Sequence, residues 1–171
     1  KYRDKLTAID SVLSRSALVL AEDVDADLFG IAEDELAATV QQFVVRGGRV
    51  RGVRAWTLEK ELDILGPELV DQVLQRSYGE ATAAEIPRRI LVATLPDDAS
   101  ELEQWLSERR GGRPVSIRVA QRGRKADLLK TANLNAQQAL MLFKTRRSSD
   151  YIARTQSLTD LQAALGLSEA P

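Results

Sequence analysis

Residues 36–58 read LAATVQQFVVRGGRVRGVRAWTL. Two runs rich in Val, Thr and other strand formers flank Gly47-Gly48. Two adjacent glycines can take the positive φ that a two-residue hairpin turn demands. The stretch therefore predicts paired strands over Leu36–Val45 and Arg49–Leu58. On the first, Val40, Gln42 and Val44 share one face, with Thr39, Phe43 and Val45 on the other. On the second, Val50, Trp56 and Leu58 are expected together, with Arg49 and Arg51 pointing away. Upstream, Leu28–Glu33 predicts another short strand, which completes an antiparallel meander.

Downstream the period lengthens from two residues to three or four. Gly66-Pro67 opens a helix, because proline lacks only an N–H that the first turn does not use. Leu69, Val70, Val73, Leu74 and Tyr78 form its buried stripe, and Gly79 stops it. Residues 80–87 read as a loop. Arg89–Leu95 contains Ile90-Leu91-Val92, apolar on both faces as a central parallel strand should be. Ser100 with Glu103 reads as a capping box for a helix that carries Leu102, Trp105 and Leu106. Gly111-Gly112 ends that helix. Val115, Ile117 and Val119 alternate as a strand nearer an edge. A long helix is predicted from about Lys125 to Arg146, with Leu128, Leu129, Ala132, Ala136, Ala139, Leu140 and Phe143 inward. A separate short helix carries Leu158, Leu161 and Leu165, with Gly166 as its stop. Trp56 and Trp105 lie on apolar faces and read as core residues. The order is β-β-β-α-β-α-β-α. With right-handed crossovers this builds an α/β fold, a mixed five-stranded sheet with helices on its faces. That succession is the one found in ribonuclease H-like domains.

The chain has 171 residues and weighs 18.9 kDa, a length suited to one domain with appendages. It contains neither Cys nor His. Disulfides, Cys/His zinc sites, His general-base catalysis and Ser-His-Asp triads are all excluded. No apolar run approaches the roughly 18 residues of a membrane span. The net charge of −1 hides a strong asymmetry. Residues 1–43 hold four basic and nine acidic side chains, whereas residues 105–157 hold twelve and three. An uneven basic distribution is a footprint of phosphate-backbone contact, and also of a solvated helix face. The loop Gln121-Arg122-Gly123-Arg124-Lys125 stands out, because a glycine between arginines lets backbone approach a phosphate at a helix start. Arg118 and Lys130 flank it, and Arg46, Arg49, Arg51 and Arg54 form a second cluster on the hairpin. Asn133 and Asn135, two residues apart, cannot share a helix face. Structural work is expected of one of them.

Several phrases resemble the UvrC family, the incision component of the UvrABC excinuclease. Tyr2-Arg3-Asp4-Lys5-Leu6 is similar to the second helix of a UVR motif. Phe43 to Val50 followed by Trp56 resembles the family's hairpin, and Ile86-Pro87 leading to Ile90-Leu91-Val92 its central strand. Gln121 to Lys125 with Leu128-Leu129 and Asn133-Leu134-Asn135-Ala136 resembles its most distinctive stretch. Leu165-Gly166-Leu167 before Pro171 resembles the linker that precedes the family's catalytic domain. The resemblance implies a middle segment of such a protein, between the UVR helices and the 5′ endonuclease. It implies the end of a UVR-type helix over 1–20, an inactive ribonuclease H-like domain over 21–147 and a helical linker over 148–171. The amino-terminal GIY-YIG nuclease, the Asp-Asp-His endonuclease and the helix-hairpin-helix module would lie outside it.

The function implied is a non-catalytic domain of nucleotide excision repair and the SOS response, in the cytoplasm, which spaces the two incision nucleases. DNA is the expected partner, without sequence preference, through Arg122, Gly123, Arg124, Lys125, Arg118, Lys130, Arg46, Arg49 and Arg51. UvrB and the UvrB–DNA complex are expected through the parent protein, with Tyr2, Leu6 and Ile9 as candidate partner-helix residues. No membrane and no cofactor are expected. Ribonuclease H-like nucleases hold two metal ions with carboxylates from the first strand, the end of the fourth and a late helix. Asp27, Asp97 and Asp127 fall near those elements. Each also has a structural reading: Asp25 and Asp27 in an acidic connector, and Asp97, Asp98 and Asp127 near helix starts that favour acids. No metal or catalytic residue is assigned. A self-contained metal-dependent nuclease and a pure protein-interaction module are the alternatives.

Overall fold

In the computed structural model, which describes residues 19–60, 64 and 66–166, strand β1 (Ala26–Glu33) runs through the middle of a five-stranded sheet. The other strands are β2 (Ala37–Arg46), β3 (Arg49–Glu59), β4 (Arg89–Val92) and β5 (Ser116–Val119), in the spatial order β3-β2-β1-β4-β5. The meander β1-β2-β3 is antiparallel, and β4 and β5 add to β1 in parallel. Helices α1 (Gly66–Tyr78) and α2 (Ala99–Arg109) and a 3-10 turn at Ala83–Glu85 lie in the crossovers. Helix α3 (Gly123–Leu165) follows β5. The expected element order and the edge position of β5 are both present. Gly47 and Gly48 have φ of 59° and 73°, as the two-residue hairpin requires.

Each face of the sheet has its own core. Odd residues of β1 and even residues of β2 face α1 and α2, where Phe29, Val40, Leu69, Val73, Leu74, Ile90, Leu106 and Ile117 are buried together. Trp56 and Trp105 pack against this cluster. Even residues of β1 face α3, where Leu28, Phe43, Val45, Leu91, Leu128, Leu129 and Ala132 meet. Each such large side chain contributes about 1.5–3 kcal/mol on burial. The α3 seat requires a glycine. A Cβ on Gly30 would lie 2.2 Å from the Ala132 carbonyl carbon and 2.5 Å from the Asn133 nitrogen. Beside it β4 pairs with β1 only as far as Leu28, and the Ile31 N–H donates instead to Asn133 Oδ1 at 3.3 Å. The buried Thr39 hydroxyl donates to the Ala136 carbonyl at 2.6 Å. Asn133 thus has the structural work expected of one of the asparagines.

Four expectations are corrected. β1 begins at Ala26, so Asp27 is a strand residue and not part of a connector. A bulge interrupts β3: Val45 pairs with Val50 but Val44 with Gly52, leaving Arg51 as the extra residue. The face therefore flips, so that Val50 joins the α3 core while Trp56 and Leu58 face α1 and α2. Helix α2 begins at Ala99 after Asp98, so Ser100 lies inside it. The Glu103 carboxylate reaches the Ile117 N–H at 3.0 Å instead of a cap. Finally, α3 is one helix of 43 residues, about 65 Å long, and not two. No Gly or Pro interrupts residues 124–165. Hydroxyls that usually compete with the helix donate to carbonyls four residues back, as Thr145, Thr155 and Thr159 do. Gly166, φ 67°, ends α3 as expected.

Candidate functional site

Open α/β sheets bind ligands beyond the carboxyl ends of their strands. Here that mouth is a cavity of about 110 Å³ lined by Phe29, Ile31, Glu33, Val70, Ala93 and Thr94, among others. Its carboxylate, Glu33, is paired with Lys60 at 3.1 Å. Next to it Asp34 accepts the Leu36 and Ala37 N–H groups at 2.8 and 2.7 Å and pairs with Arg147 at 3.0 Å. Lys144 stands 3.8 Å away. Desolvation opposes ionisation of Asp34, but the two N–H groups and Arg147 together outweigh it and lower its pKa to about 2.

Asp27 lies towards the other end of β1, 1 % exposed on the α1/α2 face. Its carboxylate accepts Arg46 Nη1 at 2.8 Å, Gln42 Nε2 at 3.1 Å and the Tyr78 hydroxyl at 2.5 Å. Burial raises its pKa, against the pull of Arg46 and the hydrogen bonds. Burial and the neighbouring Asp27 likewise push the Tyr78 hydroxyl well above its ordinary value of 10. A cavity of about 200 Å³ beside this cluster is also lined by Arg54, Ser77 and Glu85. The sequence placed Gln42 and Tyr78 on buried faces but gave no sign that they converge on one carboxylate. The polar pair Gln41-Gln42 inside the otherwise apolar run Val40–Val45 was the available signal.

Asp27, Asp97 and Asp127 do not come together. Asp97 is exposed just before α2. Its neighbour Asp98 lines a groove with Asp71 and Gln75 of α1. Asp127 is exposed on α3, beside Val19 and Arg124. Among the described residues, no three Asp or Glu side chains form a group that could hold a metal ion.

The structure brings both clusters of basic candidates to the amino end of β1. The hairpin turn carrying Arg46 and Arg49 lies under the connector: Val19 and Leu20 N–H both donate to Gly48 O at 3.0 Å. Val19 in turn lines a cavity with Arg124. Arg46 is largely engaged by the fold. Beyond Asp27 it donates to the carbonyls of Val45 at 2.8 Å and Glu85 at 3.0 Å. Arg51, at the bulge, is exposed, as are Arg122, Gly123, Arg124 and Lys130; Lys125 and Arg49 are half-buried. Arg118 pairs with Glu103 at 3.2 Å. Arg122 precedes α3 without a side-chain cap, and Gly123 has φ 75°. Tyr2, Leu6 and Ile9 lie outside the described residues. Among the described residues no helix is long and apolar enough to cross a membrane.

The strand order 3-2-1-4-5, with one antiparallel meander and two parallel additions, defines a ribonuclease H-like α/β domain. The model of the UvrC Ribonuclease H-like domain family matches residues 25–142, and the chain belongs to that family. It is 52% identical to UvrABC system protein C of Pseudarthrobacter chlorophenolicus, over 98% of this chain and 25% of that protein. It is 47% identical to the Streptomyces coelicolor protein of the same name, over 100% of this chain and 23% of that one. The chain thus spans about a quarter of the length of these relatives. A chain from the PCNA:RNase HII complex of Archaeoglobus fulgidus superposes with a TM-score of 0.44 at 13% identity, covering 85% of this chain and 92% of that one.

Proposed function

We propose that this domain is a non-catalytic scaffold within an excision nuclease of nucleotide excision repair, and that it contacts the DNA backbone. The observation that carries the reading is the mouth of the sheet. Where a ribonuclease H-like nuclease needs carboxylates, Phe29, Ile31, Ala93 and Thr94 line the wall, and Glu33 is neutralised by Lys60. Asp27, a carboxylate on the first strand, is already saturated by Arg46, Gln42 and Tyr78. The relatives named UvrABC system protein C support the repair context and the wider partners, UvrB and the UvrB–DNA complex, through the larger protein. The domain itself needs no cofactor in this role.

DNA contact falls to Arg122, Gly123, Arg124, Lys125, Arg118, Lys130, Arg49 and Arg51, with Arg46 holding the hairpin in place. These contacts position without reading bases. Binding of a labelled duplex should weaken steeply as salt rises. Reversing charge at Arg122, Arg124 and Lys125 should lower affinity for all sequences alike and make the salt dependence shallower by about 3 in the log–log slope. Variants that bind as the wild type does would remove the loop from the interface. Absence of duplex binding would point to a protein-interaction module instead.

A further inference from the structure

Among the described residues, one cation of the amino end is buried without a counter-charge. Arg110, at the end of α2, is 8 % exposed. Its Nε donates to the Ile86 carbonyl at 3.1 Å and its Nη1 to the Pro114 carbonyl at 3.0 Å. Among the described residues no carboxylate pairs with it, nor with Arg88 or Arg113. Arginine is rarely buried unless paired, because a cation taken out of water loses hydration that neutral carbonyls replace only in part. Burial, then the charges of Arg113 and Arg88, lower the Arg110 pKa, and only Asp25 pulls the other way among its strongest influences. Asp25 is itself bound by the Gly47 N–H at 2.9 Å.

The surrounding geometry is built rather than incidental. Arg46 and Arg110 clamp the consecutive carbonyls of Glu85 and Ile86. Arg113 Nε holds the Arg110 carbonyl at 3.2 Å, and the Arg88 carbonyl accepts the Ser116 N–H at 2.9 Å. The side chains of Arg88 and Arg113 remain exposed. We propose that the exposed Arg88 and Arg113, with the buried charge of Arg110 behind them, form a phosphate site that takes the backbone of a nucleic-acid strand, separate from the loop Arg122–Lys125. The proposal rests on the reading that the domain contacts nucleic acid, and assigns that contact a second footing. An acidic polypeptide would present similar charge but needs apolar anchors. The exposed large apolar side chains, such as Leu36, Leu95, Leu134 and Met141, lie outside segments 85–89 and 110–116. A phosphate backbone needs none.

The test measures anisotropy of a labelled duplex with the 171-residue chain across a salt series, for wild type, R88E/R113E and R122E/R124E. Both Arg88 and Arg113 are exposed, and circular dichroism melts check that the reversal leaves the fold intact; R88Q/R113Q serves if it does not. R88E/R113E should lose roughly tenfold or more in affinity and lower the log–log salt slope by about 2. If it binds as wild type does while R122E/R124E is weakened, the phosphate site is overturned and nucleic-acid contact stands. If wild type binds no duplex, both fall. If polyglutamate displaces the duplex at matched charge while single- and double-stranded DNA do not compete with polyglutamate, the partner is an acidic polypeptide and the proposal is overturned.

Discussion

The two ends of β1 treat an aspartate in opposite ways. Near the amino end Asp27 is sealed into the α1/α2 face, and burial drives its pKa up despite Arg46. Just past the carboxyl end Asp34 is held by two backbone N–H groups and Arg147, and its pKa falls to about 2. The surroundings differ in the same sense. At the carboxyl end the charges are matched, Glu33 with Lys60 and Asp34 with Arg147. At the amino end Arg88, Arg110 and Arg113 have no carboxylate partner among the described residues. One strand therefore joins an end whose charge is internally satisfied to an end with cations to offer. The carboxyl end, where open α/β sheets bind ligands, is the one whose charges are matched.

Removing the glycine between the two ends should have the largest effect. Gly30→Ala forces α3 away from β1 because the clash is with backbone, which gives little. It should cost more than about 3 kcal/mol by urea denaturation. Asp27→Ala strands the Arg46 charge and the Tyr78 hydroxyl. A loss of roughly 3 kcal/mol is expected, at the low end for a broken buried pair since the Arg46 side chain is 27% exposed. Asp27→Asn keeps an acceptor and should cost less. At the other end Arg147→Ala should cost only about 0.5–1 kcal/mol and fade in high salt, as expected of a half-exposed pair.

Carboxyl titrations followed by NMR sharpen the same contrast. Asp27 should titrate above the ordinary 3.8 and Asp34 near 2. The signs follow from linkage. The depressed Asp34 contributes stability above pH 3.8 that is lost as pH falls towards 2. The raised Asp27 favours the fold when protonated, and that contribution is lost as pH rises from 3.8 through its folded value. Asp34→Asn should flatten the acid limb, and Asp27→Asn should remove the opposing slope.

Much of the architecture was legible. The stripe Leu69, Val70, Val73, Leu74 and Tyr78 is the buried face of α1, because helical periodicity is a local property. Gly47-Gly48 fixed the hairpin for the same reason. The bulge at Arg51 was hidden, since a one-residue slip leaves no mark on alternation until both strands are aligned. The single α3 was hidden because its two apolar stripes, one ending at Phe143 and one beginning at Leu158, read as separate helices, whereas the backbone between them stays helical. The ends of β1 were least legible. Asp27 looked like connector because acidic neighbours precede it, and its partners come from 15 to 51 residues away. Arg110 and Arg113 were legible as members of the basic segment 105–157, and Arg88 carried no signal. Their shared location exists only once α2 and the parallel strands have folded.

The central claim is that the mouth beyond β1 and β4 carries no metal chemistry. Amide signals of the 171-residue chain titrated with Mn²⁺ test it most directly, since paramagnetic broadening reports binding whether or not cleavage follows. The account predicts weak, unsaturated broadening at exposed carboxylates such as Asp97 and Asp98, with Phe29, Ile31, Ala93 and Thr94 unaffected. Saturable broadening centred on those four residues, and abolished by Glu33→Gln, would contradict it.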